Sequence, residues 1–213
     1  MDIPLRKCFR DLIPEIVEAA ALLDNAVSAH LRGNVLQAEE WLRRADMPAV
    51  AVWVESVLGK RSPYVVIQPA VGACQAGEYR EAARMPNAHE RRALHARDGY
   101  HCRFCGMPVI RPEVRERIRR AYPDALRWGK RNADRHAAFF AMWAQYDHLL
   151  PHAKGGTNAL TNLVVTCSAC NFGRGGYTLD EVGLRNPLLV PALKSPWDGL
   201  ERFVPTRLTP GAS

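Results

Sequence analysis

Long hydrophobic runs are missing from this 213-residue chain. The longest, 48–54 and 137–144, fall far short of the roughly 18 apolar residues that a membrane span requires. An apolar leader is missing as well, because Asp2, Arg6, Lys7, Arg10 and Asp11 interrupt the first residues. A cytoplasmic protein is therefore the expectation. No internal repeat or low-complexity tract occurs, which removes fibrous classes. The chain instead has an ordinary globular balance, 47% hydrophobic and 24% charged. Its length allows one sizeable domain or two small ones, with a core that needs no disulfides.

An acidic excess is absent too. The net charge is +7, and it is unevenly placed. Residues 1–90 carry 10 Lys/Arg against 12 Asp/Glu, residues 91–135 carry 13 against 5, and residues 136–213 carry 6 against 5. The whole surplus sits in the middle, and concentrated positive charge points to a polyanion such as nucleic acid as partner.

Cysteine is scarce but ordered. Four of the six form two CxxC pairs, Cys102 with Cys105 and Cys167 with Cys170. Each CxxC turn aims two sulfurs at one point, so two turns close the tetrahedral shell that structural Zn²⁺ needs. The 61 residues between Cys105 and Cys167 exceed the roughly 15 to 20 of a simple zinc ribbon, and an inserted helical excursion accounts for the excess. A redox CxxC, or two separate sites recruiting His95, His101 or His152, are the alternatives. Cys8 and Cys74 stand alone and receive no role.

Apolar spacing of three and four predicts a helix over 11–31 (Ile13, Ile16, Val17, Ala20, Leu23, Val27, Leu31), stopped by Gly33-Asn34. A second amphipathic helix follows over 35–45 and a third over 48–58. These serve as scaffold, or as a surface for a homodimer or protein partner. Loops are expected at 61–63 and at the glycines 72 and 77, then a short helix over 87–98. Residues 112–143 read as two helices broken near Pro123 and Gly129, the first leaving Arg115, Arg117, Arg119 and Arg120 largely outside. Strands are expected at 145–150 and 163–166, joined by the glycine-rich loop 154–158 and followed by a short helix from Ser168. The proline-dotted tail from Asn186 wraps the surface, with Trp197, Leu200 and Phe203 as anchors. The fold class expected is α+β: a helical region at 1–86, a zinc-stapled unit at 87–185 with its helical insertion at 107–143, and a tail at 186–213.

One ordered set of residues stands out: Tyr146-Asp147-His148-Leu149-Leu150-Pro151, then Lys154-Gly155-Gly156-Thr157-Asn158, then Thr161-Asn162-Leu163, then Cys167, Cys170 and Asn171. It resembles the HNH endonuclease family, whose ββα-metal motif runs DH, then P, GG, a T/S-N pair, NL and a closing CxxC followed by His or Asn. The resemblance extends from about Arg91 to Gly176 and leaves 1–85 and the insertion outside. Tyr177-Thr178-Leu179-Asp180 is similar to the ending of bacterial members.

The resemblance implies metal-dependent hydrolysis of phosphodiester bonds in DNA, leaving 5′-phosphate and 3′-hydroxyl ends, with RNA open as a substrate. His148 is implied as general base, since a neutral imidazole can take a proton from water near pH 7. Asp147 and Asn171 are implied as ligands of a catalytic Mg²⁺ or Mn²⁺, a hard, sparse oxygen site. Asn at 171, where the family often has His, disfavours Ni²⁺ or Zn²⁺ there. Asn162 is implied to hold the loop and orient the base. Arg115, Arg119, Arg120, Lys154 and Arg174 are the candidate nucleic-acid contacts, and His152 reads as a loop histidine set apart from His148. Phage defence or restriction is the setting implied by analogy. The competing reading is a non-catalytic zinc module that binds nucleic acid or a protein, against which Asp147, His148 and Asn171 stand together.

Overall fold

The computed structural model describes residues 5–58, 61–68 and 85–205. The glycines at 72 and 77, Cys74 and Pro210 lie outside them. Apolar periodicity becomes helix α1 (Pro14–Leu31), which starts three residues later than its spacing predicts because Ile13 is extended and Pro14 fills the first helical position. Ile16, Leu23 and Val27 are buried, whereas Val17 and Leu31 are 63% and 46% exposed and belong to the outer face. Asn34 caps α2 (Val35–Arg44) by accepting from the Gln37 amide at 3.2 Å. Helix α3 (Pro48–Leu58) buries Val50, Trp53, Val54 and Val57. It packs against the two helices that lead into and out of the sheet, α6 (Ala137–Ala141) and α7 (Ser168–Arg174).

Helix α4 (Ala88–Asp98) opens with a reciprocal cap, Asn87 accepting from the Glu90 amide and Glu90 accepting from the Asn87 amide. The insertion holds α5 (Pro112–Ala121), a 3₁₀ turn at Asn132–Asp134 and the short α6, so its second helix is much shorter than expected. Most of its arginines are engaged in ion pairs with the chain's own carboxylates. Arg115 is 7% exposed and lies 3.6 Å from the ring centre of Trp128, which corrects the expectation that it faces solvent. Arg115 and Arg119 share Glu116, while Arg111 and Arg117 share Glu201. Arg120 is exposed.

Strands β1 (Gln145–His148) and β2 (Leu163–Thr166) form an antiparallel pair with Asp147 opposite Val164 and His148 opposite Leu163. β1 stops two residues short of the predicted strand, where the chain turns toward Pro151. The outer edge of β2 is closed rather than open: Val165 donates to Asp98 Oδ2 at 3.0 Å, and its carbonyl accepts from the Arg103 amide at 2.9 Å. Seven α-helices and this small sheet, among the described residues, make the fold α+β. The tail returns to α1, burying Leu200 and Phe203, with Trp197 donating to the Val109 carbonyl at 3.1 Å. No helix among the described residues is long and apolar enough to cross a membrane.

Candidate functional site

Two centres, one of sulfur and one of oxygen and nitrogen, flank α7. The first CxxC pair sits in a knuckle between α4 and α5, closed by Cys102 donating to the Met107 carbonyl at 2.8 Å and Gly106 donating to the Cys102 carbonyl at 2.9 Å. The second pair straddles the start of α7, with Cys167 as its cap and Cys170 in its first turn. All four sulfurs are buried and lie within 4.8 Å of one another, and Cys105 Sγ is 3.7 Å from Cys167 Sγ. Zinc–sulfur bonds of about 2.3 Å in a tetrahedron place sulfurs about 3.8 Å apart, so the cluster fits one Zn²⁺. The titration pattern agrees. Burial opposes ionisation at Cys102, yet hydrogen bonds from Cys105, Cys167 and Cys170 bring its thiol well below the ordinary range. Cys105 and Cys170 are pushed well up by their hydrogen bonds with the neighbouring thiols, Cys102 first, and burial adds to this. Four such thiols ionise together only around a cation.

On the other side of α7, a cavity of about 610 Å³ is lined by Asp147, His148, His152, Asn171 and Arg174. Asp147 and His148 come from the end of β1, and Asn171 from the middle of α7, where its Nδ2 lies 3.4 Å from Gln145 Oε1. The loop between the strands supplies the rest. Gly156 is obligatory there, since a Cβ would lie 1.8 Å from the Leu150 carbonyl oxygen and 2.8 Å from Asn162 Nδ2. Asn162 accepts from the Leu150 amide at 2.8 Å and donates to the carbonyls of Leu150 (3.2 Å) and Thr157 (2.9 Å), so its side chain spans the loop from both ends.

His148 is buried, and burial lowers its pKa below the usual 6.5, against smaller upward pulls from Asn158 and Asp147. Its Nε2 lies 2.9 Å from Asn158 Oδ1. With the amide oxygen accepting, Nε2 carries the proton and Nδ1 is the basic nitrogen. Burial pushes the Asp147 carboxyl up, while Arg174 and His148 pull it down. Arg174 corrects an expectation. It is 1% exposed rather than poised over a phosphate, with Nε donating to Asp147 Oδ2 at 2.7 Å and Nη2 donating to Oδ1. Lys154 is paired with Glu181 at 2.5 Å.

Sequence spacing missed two groups. A 3₁₀ turn (His152–Lys154) folds the loop back, so the His152 and His148 rings lie 5.8 Å apart, beside each other after all. Asn158 holds the His148 ring, a role that no spacing distinguishes from that of a turn asparagine. For Arg174 a signal existed, since three residues beyond Asn171 on a helix is the same face.

Arg174 takes one lone pair from each Asp147 oxygen and leaves each another, and Asn171 lines the same cavity, so a carboxylate and an amide, the oxygen donors that hard divalent ions take, are the groups there that could hold one.

Residues 142–183 match a family model described as HNH endonuclease. The match takes in both strands, the loop, the cavity residues and the second cysteine pair, and it leaves the first pair outside. No curated protein and no solved structure matches the chain. An HNH nuclease segment implies a nucleic-acid substrate and use of a divalent metal.

Proposed function

From the HNH endonuclease segment at 142–183, we propose that this chain hydrolyses phosphodiester bonds in DNA, with His148 as general base. The observation that carries this reading is that the Asp147, His148 and Asn171 side chains line one cavity. Water is deprotonated by His148 Nδ1, held in that tautomer by Asn158. The resulting hydroxide attacks phosphorus opposite O3′, and the P–O3′ bond breaks to leave 5′-phosphate and 3′-hydroxyl ends. Asp147 and Asn171 hold Mg²⁺ or Mn²⁺, which when bound neutralises charge on the phosphate and on the departing oxygen. Asn162 keeps the loop, and so the base, in register. Arg120 is the proposed backbone contact exposed at the surface, and Lys154 and Arg119 join it if Glu181 and Glu116 give way. Zn²⁺ at the four cysteines fixes the knuckle to α7. Restriction or phage defence is the proposed setting, by analogy of the domain alone.

Supercoiled plasmid incubated with Mg²⁺, Mn²⁺ or EDTA, beside a single-stranded RNA, tests the reading. Nicking of DNA that needs the divalent ion is expected. His148→Ala should lower the rate by about 10²- to 10⁴-fold, the usual worth of a positioned base, with melting unchanged. Wild-type chain that binds DNA but never cuts it would establish the non-catalytic alternative instead.

A further inference from the structure

Arg174 is the most buried cation at the cavity, 1% exposed, and its guanidinium is fully engaged. Beyond its two bonds to Asp147 it donates to the carbonyls of His148 and Tyr177 (2.5 Å for the latter) and approaches that of Leu149 at 3.5 Å. Asp147 is 4% exposed and is the one carboxylate among the described residues that line the cavity. Its charge is therefore cancelled in place, and Asn171 adds none. A divalent cation arriving at the free protein meets a donor set of zero net charge with a fixed guanidinium behind it. Water screens less at such depth than at the surface, so the guanidinium offsets most of the attraction that Asp147 alone would offer a cation. A phosphodiester in the cavity changes the balance by bringing the negative charge that the protein withholds.

We propose that Arg174 makes the site load its divalent ion and its nucleic-acid phosphate cooperatively, holding Asp147 as a neutral pair so that neither ligand binds well without the other. The inference rests on the nuclease reading for the identity of the site, but it concerns binding rather than cleavage. Arg174 acts through Asp147 and is a positioning residue. Coupling of this kind is reciprocal: whatever factor DNA adds to metal affinity, the metal adds to DNA affinity.

The test measures free Mn²⁺ by electron paramagnetic resonance, using zinc-loaded His148→Ala protein so that DNA stays intact. Titrations are made with and without a duplex oligonucleotide, after subtracting Mn²⁺ bound by the duplex alone. Mn²⁺ is expected to bind at least about tenfold tighter in the presence of DNA, within the usual range of coupling between sites. Equal affinities overturn the proposal. Adding Arg174→Met should tighten Mn²⁺ binding to the DNA-free protein and shrink the coupling, whereas Arg174→Lys, which keeps the charge, should preserve it. Unchanged Mn²⁺ affinity in folded Arg174→Met protein, judged by zinc content and melting, also overturns it. If that variant does not fold, the comparison with and without DNA still decides. Plasmid nicking without coupling removes this inference and leaves the function standing. Coupling without any nicking by wild type removes hydrolysis and leaves the coupling.

Discussion

Asn158 and Asn162 hold the same loop by different means, and their removal should be told apart. Asn162 bonds only backbone, at Leu150 and Thr157, so its contribution is to the loop's shape. Asn158 reaches the imidazole itself at 2.9 Å and selects which ring nitrogen is basic. Asn158→Ala should therefore lower kcat by about 10- to 100-fold, as when other partners that orient an imidazole are lost, with KM nearly constant. Steady-state kinetics on an oligonucleotide substrate check this. A rise confined to KM, with kcat unchanged, would mean that Asn158 contacts DNA rather than the His148 ring. His148, Asp147, Asn162 and Asn171 could be singled out as candidates from their order along the chain, and the structure places three of them at one cavity and Asn162 across its loop. Asn158 and His152 could not, because their roles depend on how tightly a 3₁₀ turn folds back after Pro151.

At the scale of elements, α7 is the shared part. It carries Cys170 in its first turn, after Cys167 as its cap, with Asn171 in its middle and Arg174 at its end, all between positions 167 and 174. A helix this short has little stability of its own and depends on what packs against it. The knuckle holds one end, α3 packs along it, and the Asp147–Arg174 pair ties the other end to β1. Cys170→Ser should abolish zinc retention and destabilise the fold by about 4 kcal/mol or more, the range associated with loss of a structural metal. Zinc content by atomic absorption and thermal melting measure both. Full zinc retention in the variant would rule out the four-sulfur site. The cysteine pairs were readable from spacing alone because metal geometry demands so little else. The arginines of α5 were not: helical periodicity put Arg115 on the polar side, and the tryptophans that cover it come from distant positions, 128 and 143.

Across the whole molecule, buried histidines set an acid limit. Burial lowers the pKa of His95 and His136 below 6.5, with Asp46 pulling His136 back up and the Gly99 carbonyl doing the same for His95. The unfolded chain therefore takes up these protons first as pH falls. Stability is complete above about 6.5 and declines as pH drops below it toward the folded values, since the state that binds more protons gains. Melting temperatures measured from about pH 7.5 to 5.5 should fall, and His136→Gln should flatten the slope; a melting temperature that rises on acidification would reverse the assignment. None of this was visible beforehand, because burial causes both shifts and residues that cover these rings, Tyr146 at His95 and Leu42 at His136, lie far off in sequence. The helices, strands and motif order were legible from local pattern, while the burial of charged and titratable groups belongs to tertiary packing.

His30 shows what that packing entails. Its Nδ1 lies 2.7 Å from the Tyr122 hydroxyl, its Nε2 lies 2.8 Å from the Val204 carbonyl, and its ring stacks on Phe203 at 4.4 Å. Bringing together positions 174 apart in the chain costs about 5 kcal/mol of loop entropy if nothing between them is yet ordered. Once the body that carries α5 has assembled and brought Tyr122 to α1, most of that expense has already been met. The tail is thus expected to dock late in folding, a strap drawn over a body already in place.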